Sequence, residues 1–120
     1  TDGVTYNISN ANNNNNGWSY IKTGKNCTIT TAAPFANAIS STTISIDAIT
    51  VKNVTSIKLY VSTDSTFTKD VQTFEIEKKK GDIQTTITNP IANAYYKYEL
   101  KSTSTKSITI TKLTFTEAVE

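Results

Sequence analysis

Residues 57–62 read Ile-Lys-Leu-Tyr-Val-Ser. Apolar and polar side chains alternate one for one, with Ile57, Leu59 and Val61 set against Lys58, Tyr60 and Ser62. Successive side chains of a strand point to opposite faces, so this stretch predicts a strand with one face in a core and one in water. The same pattern recurs on both sides of it. Upstream, Val4, Tyr6 and Ile8 alternate with polar residues, and Cys27, Ile29 and Thr31 do so again. Between them lie the Asn run 10–16, read as a loop, an extended stretch Trp18–Lys22, and Thr23-Gly24-Lys25-Asn26, read as a turn. Pro34 ends the third strand.

Residues 42–51 place Ile44 and Ile46 in one phase and Ile49 and Val51 in the other. A slip of one residue near Asp47 and Ala48 predicts a β-bulge or a bend between two short strands. Downstream of the central stretch, Thr63–Thr66 is a loop and residues 71–77 alternate around Phe74 and Ile76. Lys80-Gly81-Asp82 reads as a hairpin turn joining that strand to residues 83–88, which end at Asn89-Pro90. In residues 95–101, Tyr96, Tyr98 and Leu100 take one face and Tyr95, Lys97 and Glu99 the other. After a turn at 102–106, Ile108, Ile110, Leu113 and Phe115 form a last strand with a second phase slip. The expectation is an all-β antiparallel β-sandwich of eight to nine short strands, arranged as a jelly roll. No segment offers the long crossover that parallel pairing needs, and no strong internal repeat is visible.

Composition agrees with that architecture. Thr is the commonest residue of the 120, Leu is rare and Met is absent. Branched and aromatic side chains favour the pleated surface of a sheet. The length suits one domain. The expectation is a single module, residues 1–120, cut from a larger protein whose neighbouring domains are covalently linked to it. It is expected to be a monomer. The formal net charge is +2 with both signs dispersed, which argues against a nucleic-acid partner. The one basic run, Lys78–Lys80, reads as a solvated tip. No long apolar stretch predicts membrane insertion.

Cys27 stands alone, so no intrachain disulfide forms. The absence of His removes the commonest general base and the commonest metal ligand. Ser and Thr are abundant, but a hydroxyl nucleophile needs an adjacent base, and nothing marks out a Ser-Lys pair. The chain is therefore expected not to be an enzyme. Zinc-type sites are excluded, because one Cys without His cannot supply the ligands.

The stretch VTSIKLYVSTDSTF, followed by NPIANAYYKYEL and ITITKLTF, with NGWSYIKTG near the start, carries a resemblance that spans most of the chain. It resembles the β-sandwich modules appended to large secreted or surface proteins of gut and rumen bacteria, among them nucleases, adhesins and glycan-degrading enzymes. The resemblance implies a jelly-roll, galactose-binding-like or carbohydrate-binding-module-like domain, secreted or on a bacterial cell surface. It also implies a structural calcium near the chain ends, for which Asp2, Asp47 and Glu117 are the candidate ligands.

Sugars present apolar C–H faces and polar rims, so proteins stack flat rings on the former and read hydroxyls with amides, amines and carboxylates. The alternation turns Tyr60 outward beside Lys58, and Tyr95 outward beside Lys97 and Glu99, while Trp18 and Tyr20 share a face next to the Asn-rich loop. The candidate carbohydrate-binding residues are therefore Trp18, Tyr20, Tyr60, Tyr95, Lys58 and Lys97. The expected partner is a polysaccharide or glycan. The alternative is a structural or adhesive spacer without a small ligand.

Overall fold

The computed structural model describes residues 4–12 and 20–118. The described residues form eight strands: β1 (Tyr6–Ala11), β2 (Ile21–Thr31), β3 (Ile39–Ile49), β4 (Val54–Ser62), β5 (Gln72–Glu75), β6 (Gly81–Thr86), β7 (Tyr95–Ser102) and β8 (Ile108–Glu117). A single 3-10 turn at Val51–Asn53 separates β3 from β4. Every strand pairing is antiparallel, as the alternating sequence predicts. The ladder runs β5-β4-β7-β2-β8-β3-β6, with β1 added to β2.

Strand β2 is the corner of the molecule. Its first residues, Ile21 and Lys22, pair with β8, whereas Cys27–Thr30 pair with β7. The sheet thus folds over on itself into two layers, β1-β2-β7-β4-β5 and β2-β8-β3-β6. Apolar rows cross each layer on the inner side. Phe74, Leu59, Tyr98, Ile29 and Ile8 lie in register across one, and Ile83, Ile44 and Leu113 across the other. Between the layers Thr42 of β3 and Tyr98 of β7, both buried, share a hydroxyl–hydroxyl hydrogen bond.

Two sequence expectations change. The Thr23–Asn26 stretch is not a turn but the bend within continuous β2. Two left-handed asparagines absorb the bend, Asn26 at φ 54° and Asn10 at φ 60°, and the Asn10 side-chain amide donates to the Asn26 carbonyl at 3.1 Å. The β1 register shifts between Ser9 and Ala11 beside it. Asn serves a turn and a bulge equally well, because both ask for a left-handed residue. Likewise, the expected hairpin across Lys80-Gly81-Asp82 does not form. β5 pairs with β4 and β6 pairs with β3, so residues 76–80 cross from one layer to the other. Each short strand finds an apolar partner there, Phe74 opposite Leu59 and Ile83 opposite Ile44.

Both phase slips are real. Ser45 pairs with Lys112 but Ile46 pairs with Ile110, so Thr111 is an extra residue in β8. Ile46 pairs with Ile110 but Ala48 with Thr109, so Asp47 is an extra residue in β3. The two bulges offset each other, and Ile49 returns opposite Ile108. One short repeat also matters. Pro34-Phe35-Ala36-Asn37-Ala38 and Pro90-Ile91-Ala92-Asn93-Ala94 share a pattern, and the two loops pair at one end of the fold. The Phe35 amide donates to the Ala94 carbonyl at 3.0 Å, and the Asn93 amide donates to the Phe35 carbonyl at 2.7 Å. The Phe35 ring then packs against Tyr96 and Phe115, with centroids 5.5 and 4.8 Å away.

Candidate functional site

The inner faces of β4 and β7 hold Ile57, Leu59, Val61, Tyr96, Tyr98 and Leu100, all buried. The pleat therefore turns Lys58, Tyr60, Tyr95, Lys97 and Glu99 to the outer face of that layer, where each is half-buried. Register sets their neighbours. Tyr60 lies opposite Lys97, Lys58 opposite Glu99, and Ser62 opposite Tyr95. Glu75 of β5 lies beside Lys58 on its other side. Four of the candidate residues, Tyr60, Tyr95, Lys58 and Lys97, thus come together as one surface.

Its centre is Lys97. The ammonium sits 5.1 Å from the centroid of the Tyr60 ring and 4.8 Å from that of Phe67. Both distances are within the range of a cation–π contact. The Tyr60 hydroxyl donates to Glu99 at 3.1 Å, and Lys101 lies 3.8 Å from the same carboxylate. Partial burial, the negative charge of Glu99 and that hydrogen bond together raise the Tyr60 phenol above its ordinary pKa. Beside Lys58 a cavity of about 120 Å³ opens between β4 and the chain after β5, lined by Ser56, Glu75, Ile76 and Lys78.

Phe67 is the residue that sequence reasoning missed. It lies in the loop between β4 and β5 at φ 56°, a left-handed backbone uncommon for a bulky side chain. A knot of hydrogen bonds sustains that conformation. The Asp64 carboxylate accepts from the hydroxyls of Thr66 and Thr68 and from the Thr68 amide at 3.2 Å, while the Asp64 carbonyl accepts from the Phe67 amide at 2.9 Å. The Ser62 hydroxyl donates to the Lys69 carbonyl at 2.6 Å and accepts from the Asp64 amide at 3.1 Å, which ties both ends of the loop to β4. The Thr66 hydroxyl, then that of Thr68, holds the Asp64 carboxyl down to about pKa 2. The signal in the sequence was Asp64-Ser65-Thr66-Phe67-Thr68, a self-capping polar loop with one aromatic in its middle.

The remaining candidates lie elsewhere. Tyr20 is 43 % exposed at the start of β2, with the Lys22 ammonium 6.0 Å from its ring centroid. It stands at the end of β2 that pairs with β8, away from the Thr28–Thr30 end that adjoins Glu99 and Lys97. Trp18 and Asp2 fall outside the described residues. Asp47 is the exposed bulge residue near one end of β3, and Glu117 pairs at the other end, opposite Ile39. At about 3.3 Å per residue the length of β3 separates them far beyond the 2.3–2.6 Å reach of a shared calcium ion. Glu117 instead accepts a hydrogen bond from the side-chain amide of Asn37.

No family model, curated protein or solved structure matches this chain.

Proposed function

We propose that this chain is a non-catalytic carbohydrate-binding module. It anchors a larger secreted or surface protein to a polysaccharide through the outer face of β4 and β7. The observation that carries the reading is the clustering of the half-buried Tyr60 and Phe67 rings with Tyr95, Lys97 and Glu99 on one outer face. Aromatic faces half-open to solvent can take the C–H face of a sugar, and an ammonium and a carboxylate between them can read its hydroxyls. The outward neighbours in the same rows are small and polar, Thr30 and Asn7 beyond Lys97 and Thr28 and Ser9 beyond Glu99, which leaves a flat surface for an extended chain. The strand order supports a jelly roll. Pairs β4·β5, β3·β6 and β2·β7 nest inside one another like a long hairpin rolled into two layers, with β1 displaced from β8 to β2.

Calorimetry against a panel of plant, host and microbial polysaccharides tests the reading. Binding to at least one is expected, with Tyr60→Ala and Phe67→Ala each lowering affinity about tenfold, as loss of a stacking ring does. Failure to bind any member overturns it. The second reading, a spacer without a small ligand, is favoured by the fact that Lys97 already occupies both rings. On that reading the two substitutions lower only the melting temperature.

A further inference from the structure

We propose a second, separate site: an oxyanion-binding cleft at the bend of β2, suited to a sulfate or carboxylate group. The cleft has a volume of about 660 Å³ and is walled by residues 10–12, 22–25 and 105–106. Three lysines, Lys22, Lys25 and Lys106, line it, and among the described residues no carboxylate does. That is a local concentration of charge in a chain whose formal net charge is only +2. None of these lysines forms an ion pair among the described residues, whereas Lys79 and Lys101 each have one.

The cleft is built rather than accidental. Gly24 lets β1 press against β2, since a Cβ there would lie 2.5 Å from the Asn10 carbonyl oxygen. The Lys106 amide donates to the Thr23 carbonyl at 2.6 Å, which pulls the β7–β8 turn onto the bend. Lys106 holds φ 60° to do so, and Asn10 holds φ 60° on the opposite wall. Left-handed backbone at non-glycine residues costs free energy and is found where surrounding structure imposes it, often around binding sites. Tyr20, whose ring adjoins Lys22, adds an aromatic rim on which a charged sugar could lie.

Titration of the ¹⁵N-labelled chain at low ionic strength tests the site, with inorganic sulfate in one arm and a uronate trisaccharide in the other. The amides of Thr23, Gly24, Lys25 and Lys106 are expected to shift saturably with at least one of the two, and the stronger arm identifies the group. The double substitution Lys25→Gln with Lys106→Gln, at exposed positions that leave the fold intact, should weaken binding about tenfold, as loss of two charge-assisted contacts does. Lys80→Gln should leave it unchanged. Shifts that stay linear, spread equally over Lys78–Lys80, or survive the double substitution overturn the proposal. This site stands independently of the aromatic face: sulfate binding without any neutral-glycan binding would remove the proposed function and leave the cleft.

Discussion

Asp64 shows how one side chain can position another. Its carboxylate gathers the Thr66 and Thr68 hydroxyls and the Thr68 amide, and the turn so formed places Phe67 over Lys97. These bonds favour the charged form, so the folded-state pKa falls from 3.8 to about 2. The sign follows from linkage. The stabilisation is present above the unfolded value and is lost as pH falls through the folded one. The Phe67 ring and Thr68 amide resonances are therefore expected to hold their positions down to about pH 4 and to move towards loop-averaged values between about pH 4 and pH 2. Asp64→Ala should produce the same averaging at neutral pH. Unchanged Phe67 resonances in that variant would show that the loop is held without the carboxylate. Tyr60, Tyr95, Lys58 and Lys97 were legible as an outward set because the period of a strand is two and both strands are regular. Phe67 was not, because no periodicity governs a loop.

Among the elements, β2 is the one that pairs in both layers. The bend between its two halves depends on close approach of β1. Gly24→Ala would put a methyl group 2.5 Å from the Asn10 carbonyl, and backbone on both strands would have to move. A loss of about 1–3 kcal/mol is expected, read as a lower urea midpoint with an unchanged slope. The amides of β1 should exchange faster than those of β7 in the same variant. Equal stability of the variant would mean that β1 is not held where the register places it. The sequence marked Thr23–Asn26 as special but not in which way, since Gly and Asn are the residues of turns and of bulges alike. The slips in β3 and β8 were easier, because a bulge is the one device that moves a strand's apolar residues to the other phase and keeps the strand.

At the scale of the whole molecule, the two layers are joined by the apolar core and by a buried side-chain hydrogen bond that links them directly, the bond between Thr42 and Tyr98. Burial raises the Tyr98 phenol well above its ordinary pKa, so it remains a neutral hydroxyl throughout the working range. Tyr98→Phe or Thr42→Val alone leaves one buried hydroxyl without its partner and should cost about 1–2 kcal/mol. The double variant should cost less than the sum of the two, because neither hydroxyl is then stranded. Strict additivity in urea unfolding would show that the bond contributes nothing. By itself the sequence determined the all-β class, which residues face the core, and where the strands slip, because these depend on local alternation. Only the tertiary structure decided which strands are neighbours. It sent β5 and β6 to different layers, bent β2 through a predicted turn, brought the two Pro-x-Ala-Asn-Ala loops together and laid Phe67 over Lys97. An apolar strand face accepts any complementary apolar partner, so the choice among partners rests on packing of the whole chain, which no local window contains.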